Sequence, residues 1–253
     1  MSISRYLWPN SITLLNLLCG SLAIITMFEG QLEHPFRPVV LLALAAIFDL
    51  ADGLVARLLK ATSDFGKQLD SLSDLVSFGL APSIMMYKLL FLSFVDQSES
   101  STFALDQAGI GEILLLGASL SLVLFAALRL ARFNITSHSG NFFIGLPVPA
   151  AALSVVSVWI EFHQTDNEIM LDLILNPWVL VFILVLLSYL MISKIPMLSL
   201  KFKGLGFAEN RWSYLLILGS LVFYILFGSS SLIFIMGYYL LLSFIWAFFK
   251  TTQ

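Results

Sequence analysis

Apolar runs of bilayer-crossing length recur along the whole chain, separated only by short polar connections. A helix needs roughly 20 consecutive apolar residues to cross the hydrocarbon. Such runs fall at about 11–28, 38–60, 69–94, 110–132, 146–162, 173–193, 212–228 and 231–249. In lipid the backbone must satisfy its own hydrogen bonds, so these runs are expected to be helical. Of the 253 residues, 59% are hydrophobic and 11% charged, against about 25% charged in soluble domains. The expected fold is all-α, a polytopic bundle of about eight transmembrane helices. No soluble domain, long linker or low-complexity tract interrupts it, so residues 1–253 read as one membrane-embedded domain. The first run lacks a small-residue cleavage site and reads as a spanning helix rather than a signal peptide. Cys19 is the single cysteine, which excludes an internal disulfide and a cysteine-based metal site.

Charge is segregated along this pattern. With the N-terminus cytoplasmic, Arg5, Arg57, Lys60, Lys67, Arg129, Arg132, Lys194, Lys201, Lys203, Arg211 and Lys250 fall on the cytoplasmic side. Arg37 falls outside, and Lys88 near an outer helix end can snorkel. Both termini are therefore expected to be cytoplasmic, in the inner membrane of the cell. The net charge of −3 offers nothing for nucleic acid.

Four aspartates interrupt this lipid-adapted pattern: Asp49, Asp52, Asp70 and Asp74. Even the lowest insertion scales charge about 2.5–3.5 kcal/mol for an Asp in the bilayer centre, so four together require compensation. Asp49 and Asp52 are three residues apart and Asp70 and Asp74 four apart, so each pair shares a helix face. A turn around Thr62–Lys67 is expected to make the two helices antiparallel neighbours at the cytoplasmic face. Facing carboxylate pairs supply oxygen ligands to one or two hard cations, and Mg²⁺ suits such a site. Gly53 and Gly66 remove side chains beside the acids and make room for a phosphate group. Asp64 reads as an ordinary loop charge. A divalent-cation transporter is the rival class, although transporters place ion sites near the midplane between repeated halves.

The pattern Asp49-x2-Asp52-Gly53-x2-Ala56-Arg57-x8-Gly66-x3-Asp70-x3-Asp74 resembles the complete signature of the CDP-alcohol phosphotransferase family. The resemblance covers the first five spans, a catalytic core of about 5–162, with additional helices over about 173–249. It implies transfer of a substituted phosphate from a CDP-linked donor to an alcohol, with release of CMP. It also implies that Asp49, Asp52, Asp70 and Asp74 hold Mg²⁺ or Mn²⁺, two ions, and that Asp70 and Asp74 are catalytic, Asp74 as general base. Asp52, Gly53, Ala56, Arg57 and Gly66 match the nucleotide and diphosphate pocket, with Thr62 and Ser63 near the cytidine. Pro9-Asn10-x2-Thr13-x2-Asn16 is similar to the family's first-helix motif, which places Asn10 and Thr13 near the nucleotide. Taken alone, that stretch reads as a helix start with Asn10 as a cap.

The acceptor is narrowed by two further stretches. Leu69-Asp70-Ser71-Leu72-Ser73-Asp74-Leu75-Val76-Ser77-Phe78-Gly79 resembles the membrane-bound phosphatidylserine synthases of bacteria and archaea. So does Arg129-Leu130-Ala131-Arg132-Phe133-Asn134, followed by Gly145-Leu146-Pro147-Val148-Pro149-Ala150. The expected partners are CDP-diacylglycerol, L-serine, membrane lipids and a second copy of the chain in a homodimer. Ser77, Arg129, Arg132 and Asn134 are the candidates for holding the acceptor. Arginines at a cytoplasmic helix end are also what topology alone demands. Glycerol 3-phosphate, an inositol species or choline remain alternative acceptors for the same chemistry.

Overall fold

The computed structural model describes residues 4–29, 34–97, 108–135, 143–198 and 207–251. The chain is a bundle of helices, joined at one point by a two-residue antiparallel ladder between β1 (Phe143–Ile144) and β2 (Pro196–Met197). The first helix, α1 (Ser4–Phe28), begins before the expected boundary, so Asn10 lies inside it rather than capping it. Pro9 is also inside, in the second turn. Helix α2 (Arg37–Leu58) starts with a proline in its first turn, where the missing N–H has no intrahelical partner to lose.

The end of α2 is what delivers the next helix. Lys60 takes a left-handed φ of 51°, and the Ala61 N–H donates back to the Ala56 carbonyl at 2.8 Å. This closure reverses the chain within a few residues. Ser63 then caps α3 (Asp64–Asp74), its hydroxyl accepting from the Gly66 N–H at 3.0 Å. Asp64 in the first turn suits the positive end of the helix dipole. It is exposed and pairs with Lys67 at 3.7 Å, an ordinary surface charge. Helix α3 passes without a break into a π-helical turn, Leu75–Leu80, and then α4 (Ala81–Gln97).

Helix α4 is the centre of the bundle. Ala81, Met85, Met86, Leu89 and Leu90 are all fully buried, against α7 (Val148–Gln164) and α9 (Pro177–Ile192) among others. Between them lie α5 (Ile110–Ala118), α6 (Ser121–Ile135) and α8 (Glu168–Ile174). Lys88 of α4 does not snorkel away. It donates to the Met27 carbonyl at the end of α1 and lies over the Phe28 ring, 4.6 Å from its centroid. Helices α10 (Phe207–Phe227) and α11 (Ser231–Thr251) fold back on each other at Gly228–Ser230. Phe227 and Phe234 stack with ring centroids 4.2 Å apart, and the Tyr238 hydroxyl donates to the Leu215 carbonyl at 3.0 Å.

Among the described residues, five apolar helical stretches are long enough to cross a membrane: Arg5–Phe28, Arg37–Leu58, Asp64–Val95, Ile110–Ile135 and Asn210–Phe249. A sixth is added if Glu168–Ile174 and Pro177–Ile192, bent by 58°, are one span. The eight spans expected from sequence are thus five or six by this measure. Two expected spans fall in the single 40-residue stretch that turns back on itself, and the expected span at 146–162 is a helix of only 17 residues.

A second expectation is corrected. Helices α2 and α3 are not close neighbours. Each packs against α1, and they barely touch one another. The two aspartate pairs therefore face each other across a gap whose back wall is α1. The basic residues Lys201 and Lys203, and His138, lie outside the described residues.

Candidate metal centre

Asp49 from α2 meets Asp70 and Asp74 from α3 at the α1 wall. One carboxylate oxygen from each lies within 4.8 Å of the others. At that separation two carboxylates repel by roughly 3 kcal/mol at an effective dielectric constant of ~20. Three are held together here, with Asp74 only 8% exposed. Asp70 Oδ1 is buried without a hydrogen-bond partner. An all-oxygen, anionic donor set with an unsatisfied buried oxygen fits a hard divalent cation.

Asp52 is not one of this trio but lies within electrostatic reach of each of its members. Its carboxylate, 6% exposed, accepts from the Thr13 hydroxyl at 2.5 Å. Thr13 thus touches an acid of the signature, as its position in the first-helix motif allows. Asn16, of the same motif, donates its amide to Asp74 Oδ1 at 3.2 Å. Two serines stitch the wall together from the other side: Ser73 donates to the Thr13 carbonyl at 2.7 Å and Ser77 to the Asn16 carbonyl at 3.0 Å. The close approach depends on Gly20, where a Cβ would sit 2.2 Å from Ser77 Oγ.

The nucleotide candidates surround the gap unevenly. A Cβ added to Gly53 would meet nothing within 4 Å, so α2 has open space beside its acids. Gly66 is tight: a Cβ there would lie 3.2 Å from Ser63 Oγ and 3.4 Å from Asn10 Oδ1, which brings Asn10 to the start of α3. Ser63 is engaged as the α3 cap, and Thr62 beside it is exposed. Ala56 is half-buried, and Arg57 is exposed with its Nε donating to the Gly53 carbonyl at 2.9 Å.

The four acceptor candidates do not converge. Ser77 is fully buried and its hydroxyl is engaged by Asn16. Asn134 donates to Ser71 Oγ at 2.9 Å and so ties α6 to α3. Arg132 lies on the exposed side of α6. Arg129 turns inward: its Nε is buried without a hydrogen-bond partner, within electrostatic reach of Asp74 and Tyr239. Tyr239, on α11, donates to the Leu198 carbonyl at 3.3 Å. The Gly145–Ala150 stretch is structural: the Gly145 and Leu146 N–H groups donate to the Ile195 and Leu190 carbonyls, both at 2.9 Å.

Sequence reasoning did not single out Asn16 or Tyr239 as residues of the site's surroundings. Asn16 was within reach of it, because positions 9, 13, 16 and 20 fall on one helical face. Tyr239 carried no such signal, since only the folded-back hairpin brings α11 to α6.

Residues 6–191 match the CDP-alcohol phosphatidyltransferase family. The CDP-diacylglycerol–serine O-phosphatidyltransferase of Bacillus subtilis is 35% identical over 207 residues, 81% of this chain and 98% of its own length. The protein of the same name from Methanocaldococcus jannaschii is 37% identical over 184 residues, 73% of this chain and 70% of its own length. The archaetidylserine synthase of Methanothermobacter thermautotrophicus is 32% identical over 189 residues, 74% of this chain and 67% of its own length. With its acids gathered on two helices against a third, and with this match over most of its length, the chain belongs to the CDP-alcohol phosphatidyltransferase family.

Proposed function

We propose that the protein transfers the phosphatidyl group of CDP-diacylglycerol to the hydroxyl of L-serine, giving phosphatidylserine and CMP. The observation that carries this reading is the trio Asp49, Asp70 and Asp74, within 4.8 Å of one another beside open space at Gly53. The names of the relatives support serine as the acceptor.

On this reading Asp49, Asp52, Asp70 and Asp74 hold the cation, three of them converging within 4.8 Å and Asp52 tied to Thr13 beside them. These acids would hold Mg²⁺ or Mn²⁺, two ions on this reading, whose charge would offset that of the diphosphate. Asp74 accepts the proton of the serine hydroxyl as its oxygen bonds to the phosphatidyl phosphorus and the bond to CMP breaks. Asp70 orients the same phosphate. Arg57, Asn10, Thr62 and Ser63 border the nucleotide. Arg129, buried and facing Asp74, is the cation available to a serine carboxylate. The acyl chains lie between helices in the membrane.

The chain is read as one membrane-embedded domain with eight crossings, both termini and the metal centre cytoplasmic, working as a homodimer. The one-sided distribution of basic residues along the sequence supports the orientation, and the folded-back α10–α11 hairpin, two helices in one 40-residue stretch, supports the count.

The test is direct. Purified protein supplied with CDP-diacylglycerol and serine is expected to release CMP and form phosphatidylserine, resolved by thin-layer chromatography. Glycerol 3-phosphate, inositol and choline are run in parallel, and preferential turnover of any of them overturns the choice of acceptor. Metal flux into sealed proteoliposomes without CMP formation would favour a transporter instead.

A further inference from the structure

Asn16 is fully buried on α1, on the face turned to the acids. Its amide donates to Asp74 Oδ1 at 3.2 Å, and its backbone carbonyl accepts from Ser77 at 3.0 Å. Asp74 and Ser77 stand on either side of the change from α-helical to π-helical winding. Asn16 is thus gripped twice by the segment that carries Asp74. One turn back Ser73 holds the Thr13 carbonyl, and one turn on Gly20 admits Ser77 against the α1 backbone. The position of the Asn16 amide is therefore set by backbone approach.

We infer that Asn16 is a positioning residue, whose amide fixes the Asp74 carboxylate in the orientation that joins it to Asp49 and Asp70. The inference rests on the reading of Asp74 given above. An aspartate rotates about two side-chain bonds, and the terminal one has a broad preference. Tying one oxygen to a fixed donor removes that freedom. Removing such an outer partner of a metal-binding group typically changes affinity or activity by about 10–100-fold. The other half of the amide points the same way. Asn16 Oδ1 is buried with no hydrogen-bond partner, a cost that an apolar residue of the same size would avoid. Packing alone therefore does not account for an asparagine here.

The test compares wild type, Asn16→Leu and Ser73→Ala in identical lipid nanodiscs. Mn²⁺ binding without substrate is read by electron paramagnetic resonance, beside CMP release and thermal unfolding. Leucine keeps the buried volume and removes the donor. Alanine at 73 breaks a neighbouring α1–α3 hydrogen bond without touching Asp74. Asn16→Leu is expected to weaken Mn²⁺ binding about tenfold and to lower kcat about 10–100-fold, while Ser73→Ala binds Mn²⁺ as wild type does. Unchanged Mn²⁺ affinity in Asn16→Leu, or an equal loss in both variants, overturns the inference. If Asn16→Leu does not fold, Asn16→Ser, polar but too short to reach Asp74, carries the same expectation. A wild type that neither binds Mn²⁺ nor releases CMP overturns the underlying reading, and the inference with it.

Discussion

Thr13 on α1 donates its hydroxyl to Asp52 on α2 at 2.5 Å, which ties Asp52 to the same helix that carries Asn16, the partner of Asp74. A hydrogen bond to a charged acceptor is stronger than one between neutral groups. It also holds α1 and α2 together at the level where both face the metal centre.

Thr13→Val removes that donor and keeps the shape. Asp52 is left buried without it, a loss of about 1–3 kcal/mol. A lowered thermal midpoint is expected, together with weaker donor binding as the freed carboxylate shifts. Thermal unfolding in detergent, read beside the KM for CDP-diacylglycerol, measures both.

Asp74→Asn is expected to lower kcat by at least about 100-fold, the range for a lost general base. Donor binding is partly retained because Asp49 and Asp70 remain. Asp49→Asn should instead weaken donor and Mn²⁺ binding together. Wild-type turnover in either variant removes the assignment.

Metal removal gives an independent check. Chelation should abolish CMP release, and Mg²⁺ or Mn²⁺ should restore it in full. Vigorous turnover in chelator with no residual metal contradicts the role given to the three acids.

Gly20 and Gly53 should respond in opposite ways. Gly20→Ala sets a Cβ 2.7 Å from the Ser77 Cα, a backbone atom that cannot step aside, so about 1–3 kcal/mol of stability is lost. Gly53→Ala meets nothing in the protein. The fold is unaffected, and any rise in the KM for CDP-diacylglycerol reports substrate in that space.

Arg129 and Tyr239 link the core to the last hairpin. Arg129→Leu is expected to raise the KM for serine about tenfold or more, as loss of a charged hydrogen bond to a carboxylate does, while Arg132→Ala leaves it near wild type. Tyr239→Phe removes the hydroxyl held by Leu198 and should raise the serine KM by a smaller factor. Steady-state CMP release with serine varied distinguishes the three.

The helical bundle and the metal centre were largely legible in the sequence, for a physical reason. Lipid tolerates few charges, so the spacing of Asp49, Asp52, Asp70 and Asp74 stands out against an apolar background. Helix boundaries were less legible, since Asn10 reads as a helix cap and yet lies inside α1, one residue after Pro9. The division of labour among the acids was not legible, because it depends on a third helix. Nothing local to Asp52 announces that Thr13 will bind it. Arg129 and Arg132 looked equivalent at i, i+3, and only the packing of α6 against α9, α3 and the π-helical turn turns one inward. The bond from Asn134 to Ser71 was not legible for a similar reason: the two residues lie 63 positions apart.

Because α2 and α3 lean on α1 and not on one another, the width of the ion's seat equals the girth of a single rod at three contact points. Thr13, Asn16 and Gly20 act as a gauge block. Substitutions on the lipid-facing sides of α2 and α3 leave that spacing untouched, whereas one methyl group added at Gly20 pushes against Ser77, and so against the segment that carries Asp74.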